Sequence, residues 1–191
     1  MEVKSILMSL SLGLALSACC GFRVFVPLLV AAVAAKLGWL PTSSGFEWMG
    51  TYPAIIAFSV AAVAEISAYY FPFIDNLLDT VTTPASVVAG TAISASTFVD
   101  FDPMLKWTLA LIAGGGAAGI IQAGTGLLRL GSSKFTAGTA NPVVATGENV
   151  FSVVGSLLSL LVPVVMAIAF IVLIAILLYF WLSRIKKAAT G

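Results

Sequence analysis

Residues 149–183 read NVFSVVGSLLSLLVPVVMAIAFIVLIAILLYFWLS, with no charged side chain anywhere in the run. A helix needs about 20 apolar residues to cross roughly 30 Å of hydrocarbon, so this run is too long for one crossing. Pro163 divides it, since proline fits the first turn of a helix and disrupts its middle. The run therefore predicts two membrane helices, over about 147–161 and 163–183. A transmembrane barrel would alternate apolar and polar residues, which this run does not do. In lipid each segment must satisfy its own backbone, so runs of this kind are helices.

The same pattern extends outward. No charge falls between Lys106 and Arg129, between Asp79 and Asp100, or between Lys4 and Arg23. Read along the chain, further helices are expected over about 53–71, 76–98 and 105–130. The first apolar segment, 5–38, would be about 50 Å long as one helix, too long for a single crossing. Gly21 and Pro27 flank its expected break, which leaves a spanning part near 5–22 and a short, re-entrant or interfacial part near 24–38. Composition agrees: of 191 residues 60% are hydrophobic and 9% charged, against about 25% charged in a typical soluble domain. That excludes a soluble enzyme and a disordered chain, and a net charge of +1 offers no basic patch for nucleic acid.

The fold expected is all-α and integral to the membrane. A single domain over 1–191 would carry about six transmembrane helices in halves 5–98 and 105–184. Three helices per half make the halves inverted, the layout of many secondary transporters. Small residues at Ser9, Gly13, Ser17 and Gly21, and at Gly115, Gly119 and Ala123, would let helix backbones approach closely. Six crossings put both termini on one face with Lys4, Arg129, Lys134, Arg184, Lys186 and Lys187, and the positive-inside rule makes that face cytoplasmic. Glu47, Asp100 and Asp102 fall opposite, with Lys36 and Lys106 as exceptions. Trp39, Trp48, Tyr52 and Trp107 mark the outer boundary, and Tyr69, Tyr70, Tyr179 and Trp181 the inner one. Leu16-Ser17-Ala18-Cys19 has the form of a lipoprotein cleavage site, but the apolar sequence continues past it, which favours an ordinary first helix. Cys19 and Cys20 are the only cysteines and histidine is absent, so no metal or cofactor site is expected.

Ionisable groups within spans are costly and mark function by default. Glu65 lies within the second helix, and mid-helix it caps nothing. Glu148 opens the fifth, and Asp75 and Asp79 share one face at the start of the third. For Asp75, Asp79 and Glu148 the plain alternative is helix capping. Arg23 either snorkels to the outer surface or pairs with a carboxylate. Asn141 and Asn149 would line a re-entrant region; Asn141-Pro142-Val143 has the form of one aquaporin half-helix box, but no second box stands near 39–52. The four carboxylates are expected to gather on the inner half of the bundle and to carry protons or bind a cation.

Gly21-Phe22-Arg23 with Pro27, Leu37-Gly38-Trp39-Leu40-Pro41, Glu47-Trp48, Glu65, Pro72-Phe73-Ile74-Asp75 with Asp79, Pro84, Gly114-Gly115-Gly116, Asn141-Pro142-Val143 and Glu148 stand in an order that resembles a bacterial membrane family, domain of unknown function 4126. The chain departs from that family at Gly119 and Gln122, where basic residues are common, and at Tyr69-Tyr70, where Asp-Lys is common. The resemblance implies a multi-pass protein of the bacterial inner membrane and no particular activity. The residues themselves point to a small transporter or channel for a cation, a proton or a small polar solute. The alternative is a non-transporting module that binds lipid or assembles with a partner, another copy of itself included. No catalytic constellation is present, so an enzyme is not expected.

Overall fold

The computed structural model describes residues 3–71, 74–136 and 138–189, without the side chains of 75, 76 and 184–189. Among them there are helices and no strands. The helices are α1 (Val3–Cys19), α2 (Phe25–Lys36), α3 (Tyr52–Ala68), α4 (Ile74–Thr97), α5 (Pro103–Leu109), α6 (Gly116–Thr136), α7 (Asn141–Leu161) and α8 (Pro163–Ala189). A π-turn at Ala110–Gly115 joins α5 and α6 into one rod, and a 3₁₀ turn at Glu47–Gly50 precedes α3. Three rods are long and apolar enough to cross a membrane: Pro103–Thr136, Asn141–Leu161 and Pro163–Ser183. Helices α1, α2 and α3 are shorter and apolar.

The expected break in the first segment is present. The backbone N–H groups of Cys20, Gly21 and Phe22 reach back three residues to Ser17, Ala18 and Cys19, each at 3.0 Å, which tightens and ends α1. Pro27 forbids a helix running straight through, because its ring would strike the Arg23 carbonyl. The chain reverses there. Gly13 and Ser9 near the start of α1 lie beside Thr97 at the end of α4. Ser43, beyond α2, donates its hydroxyl to the Ala95 carbonyl and its backbone N–H to the Ser96 carbonyl at the same end. So α1 and α2 form an antiparallel hairpin with Arg23 near its tip. One end of the bundle carries Trp48 and Trp107 (the tryptophan end); the other carries Glu65, Asp79, Arg129 and Glu148 (the charged end).

This hairpin changes the expected topology. Counting α5–α6 as one rod, the chain makes seven alternating passes. Helices α1, α6 and α8 all run from the tryptophan end to the charged end: Gly13 lies beside Thr97 and Gly21 beside Ala118 and Ile121, while Phe22 packs on Phe170 and Gly124 lies beside Leu177. The first rod of each half therefore runs the same way, and α1 starts at the tryptophan end while α8 finishes at the charged end. The expected division of aromatic residues survives: Trp39, Trp48, Tyr52 and Trp107 at one end, Tyr69, Tyr70, Tyr179 and Trp181 at the other.

Burial is inverted relative to a water-soluble bundle. Ile56, Val60, Leu111, Ile112, Leu161 and Ile168 are exposed, while Arg23, Arg129, Glu148, Ser94, Ser152 and Ser156 are buried. An apolar exterior over a polar interior suits lipid as the solvent. Helix α1 is the central element, packed on α4, α6, α7 and α8. Its small residues make this possible. The Ser17 hydroxyl donates to the Gly90 carbonyl at 2.6 Å, and a Cβ at Gly21 would lie 2.6 Å from the Ala118 carbonyl. Cys19 is buried against Gly155. The glycine rows are thus spent on packing within the chain.

Candidate functional site: a buried arginine–carboxylate network

The tip of the α1–α2 hairpin presents the first backbone N–H groups of α2, which have no partner inside that helix. Glu65 supplies one from α3: its Oε1 accepts from Val24 N at 2.8 Å and its Oε2 from Phe25 N at 3.0 Å. Glu65 therefore does cap a helix, though not its own, and a buried negative charge meets the positive end of the α2 dipole. Its removal is expected to loosen the hairpin. Glu65→Ala should lower stability by about 1–2 kcal/mol, a fall of about 3–6 °C in the unfolding midpoint in detergent. Glu65→Gln, which keeps one acceptor, should lose less; equal losses in both would show that the capping bonds contribute nothing.

One residue before that cap, Arg23 turns inward rather than toward the surface and is 0% exposed. Its Nη1 donates to Glu148 Oε2 at 2.7 Å and to the Phe22 carbonyl at 2.9 Å. Its Nε donates to Asn149 Oδ1 at 2.6 Å and its Nη2 to the Ala145 carbonyl at 3.2 Å. Arg129, 1% exposed, meets the same carboxylate from α6. Its Nη2 lies 2.8 Å from both Glu148 oxygens and its Nε 3.1 Å from Oε1. Arg129 Nη1 pairs with Asp79 Oδ1. Glu148 thus bridges two guanidinium groups that both lie against the Tyr69 ring, 3.9 and 4.2 Å from its centroid. Two arginines against Glu148 and Asp79 leave these four groups neutral in sum, which is the condition for tolerating them at low dielectric.

Polar side chains extend the network. The Tyr69 hydroxyl donates to Asp79 Oδ1 at 3.1 Å and meets Thr82 Oγ1 at 2.9 Å, which accepts from Gln122 Nε2 at 3.0 Å. Asn149 Nδ2 donates to the Tyr70 hydroxyl at 3.2 Å, which meets Thr146 Oγ1 at 3.0 Å. The network reaches the outside at Asp79, whose side chain is 18% exposed, and at Tyr70.

Of the predicted residues, Arg23, Asp79, Glu148 and Asn149 come together, with Glu65 beside them through Val24. Glu148 does not open its helix: α7 begins two turns earlier at Asn141, so a capping role falls away. Asn141 donates to Ser133 Oγ at 2.9 Å, two turns from Glu148. Asp75 begins α4, but its side chain lies outside the described residues. Arg129, Tyr69 and Thr82 are the members that sequence reasoning missed. Arg129, at the end of the helix expected over 105–130, counts there only among the basic residues of the cytoplasmic face, yet Gln122, Thr125 and Arg129 follow helical spacing and are all buried. That polar stripe was the available signal.

Two cavities of about 290 and 170 Å³ are apolar grooves elsewhere, one between α1 and α8 at the tryptophan end, the other between α2 and α7. Neither reaches the arginines. Neither a curated protein nor a solved structure matches the chain. A family model does, over residues 10–183, which include every residue of the network. The chain therefore belongs to the family described as domain of unknown function 4126.

Proposed function

We propose that this protein is a small multi-pass transporter of the bacterial inner membrane, moving protons or a small charged solute, with the Arg23–Glu148–Arg129–Asp79 network as its coupling site. The single observation behind this reading is the burial of Arg23, Arg129 and Glu148, with Asp79 at their edge, beside a broken helix in a bundle with an apolar exterior. Such groups are costly in lipid and are retained where they move charge or solute. Stability alone does not account for them, because well-packed apolar residues often serve as well. A broken helix whose N-terminus points into a polar site is also a recurring feature of transporters. On this reading the charged end, with Lys134 and the basic end of α8, faces the cytoplasm, and the start of α1 faces away from it.

The test is flux in liposomes holding the purified protein and a pH-sensitive dye, with gradients of a panel of cations and anions. Flux several-fold above empty liposomes is expected, and Asp79→Asn should abolish most of it. Flux no greater than in empty liposomes across the panel would reject transport. A second reading, a non-transporting module that binds lipid or assembles with a partner, is favoured by the apolar grooves on the flanks of the bundle. It predicts an inactive protein in that assay and co-purifying lipid or a second copy of the chain.

A further inference from the structure

We infer that the two buried arginines form a binding site for a small oxyanion of the carboxylate or phosphate type, and that Glu148 is a tethered occupant of that site. This inference rests on the transport reading for its role, though not for its geometry. The Glu148 carboxylate accepts four hydrogen bonds, one from Arg23 and three from Arg129. All are made by guanidinium N–H groups, whose planar fork suits an anion with two coplanar oxygens. Helix α7 contributes the occupant, whereas the cationic walls come from the α1–α2 tip and from α6. Swinging one side chain away would therefore leave a preformed cationic slot one carboxylate in size, floored by the Tyr69 ring.

Charge dictates how that exchange is driven. The groups facing Glu148 are Arg23, Arg129 and Asp79, with Tyr69 against both arginines, Tyr70 behind Asn149, and Glu65 engaged by the α2 N-terminus. With Glu148 and Asp79 ionised the four-charge set is neutral. With the Glu148 carboxylate swung out, Arg23, Arg129 and Asp79 sum to +1, and one bound monoanion restores neutrality. The cargo is thus an anion rather than the cation that the carboxylates alone implied. No covalent step is involved: the Glu148 carboxylate returns to the arginines as the anion leaves.

Binding is read as the unfolding midpoint of the purified protein in detergent, titrated with sodium acetate, phosphate or chloride. Glu148→Ala should be less stable than the wild type and should regain stability with acetate. At about ten times half-saturation the midpoint should rise by about 3–6 °C. Glu148→Ala/Arg23→Gln should respond several-fold less. Glu148→Gln, closer in shape to the wild type, should respond in the same way, and this arm stands even where Glu148→Ala fails to fold. Phosphate acting in place of acetate identifies the larger oxyanion as the ligand, and chloride acting equally well overturns oxyanion selectivity. No response to any anion in either variant overturns the inference. Flux in liposomes separates the two claims: anion binding without flux rejects transport and leaves the site standing, while cation flux without anion binding rejects the site and leaves transport standing.

Discussion

Replacing Arg129 with leucine is expected to destabilise the protein by about 3–5 kcal/mol, the cost of leaving a buried charge without its partner. The loss falls on two carboxylates at once. Glu148 forfeits three of its four hydrogen bonds, and Asp79 forfeits its cation. What remains, Arg23 against Glu148 and Asp79, carries one net negative charge in a site with little access to water. If charge balance is the reason, neutralising the stranded group should recover part of the loss. The double variant Arg129→Leu/Asp79→Asn should therefore be more stable than Arg129→Leu alone, by about 1–3 kcal/mol of coupling. Unfolding midpoints in detergent measure both. A double variant as unstable as the sum of its single changes would show that Arg129 acts through packing alone.

The helices were legible because lipid makes the demand simple: long apolar runs, bounded by charge or proline. The break at Gly21–Pro27 was legible for the same reason, since a run too long for one crossing must bend where a proline forbids a straight helix. The direction of the chain after that break was not. A hairpin and a kinked crossing have the same local sequence, and only the contacts of Ser43 with Ala95 and Ser96 tell them apart. The count of six helices, and the inverted halves and shared face of the termini drawn from it, rested on that direction.

The site was half legible. Carboxylates in apolar sequence announce themselves, so Glu65, Asp79 and Glu148 stood out. Arginine near a helix end does not, because the same residue serves as an ordinary topological signal. Periodicity held the missing information. On α6 the buried polar residues are Gln122, Thr125 and Arg129; on α7 they are Asn141, Glu148, Ser152, Ser156 and Ser159. A helix facing lipid turns its polar stripe inward, the reverse of a soluble helix, and a stripe that includes an arginine places that arginine in the core. What periodicity could not supply is the partner. Glu65 meets the start of α2 only because the hairpin brings that start level with the end of α3.

Gly114 and Gly116 should differ sharply when each is changed to alanine, although the sequence presents 114–116 as one motif, and Gly90 should behave like Gly114. A Cβ at Gly114 would lie 2.7 Å from the Gly90 carbonyl and closer still to the Ser94 hydroxyl. A Cβ at Gly90 would in turn lie 2.8 Å from the Gly114 carbonyl and 2.7 Å from the Ala118 Cβ. These are backbone contacts across the seam between α4 and the π-turn, so relief requires the two rods to move apart. Because α1 packs against the same seam through Ser17, the displacement would reach the hairpin that carries Arg23. Overpacking of this kind costs about 1–3 kcal/mol at one site, and Gly90→Ala and Gly114→Ala are expected at the upper end. At Gly116 a Cβ meets nothing within 4 Å. There alanine should be harmless or raise stability by about 0.5–1 kcal/mol through its better helix propensity. Unfolding midpoints of the three single variants check this directly. Equal losses at 114 and 116 would mean that the glycines serve the π-turn's own backbone, not the approach of α4.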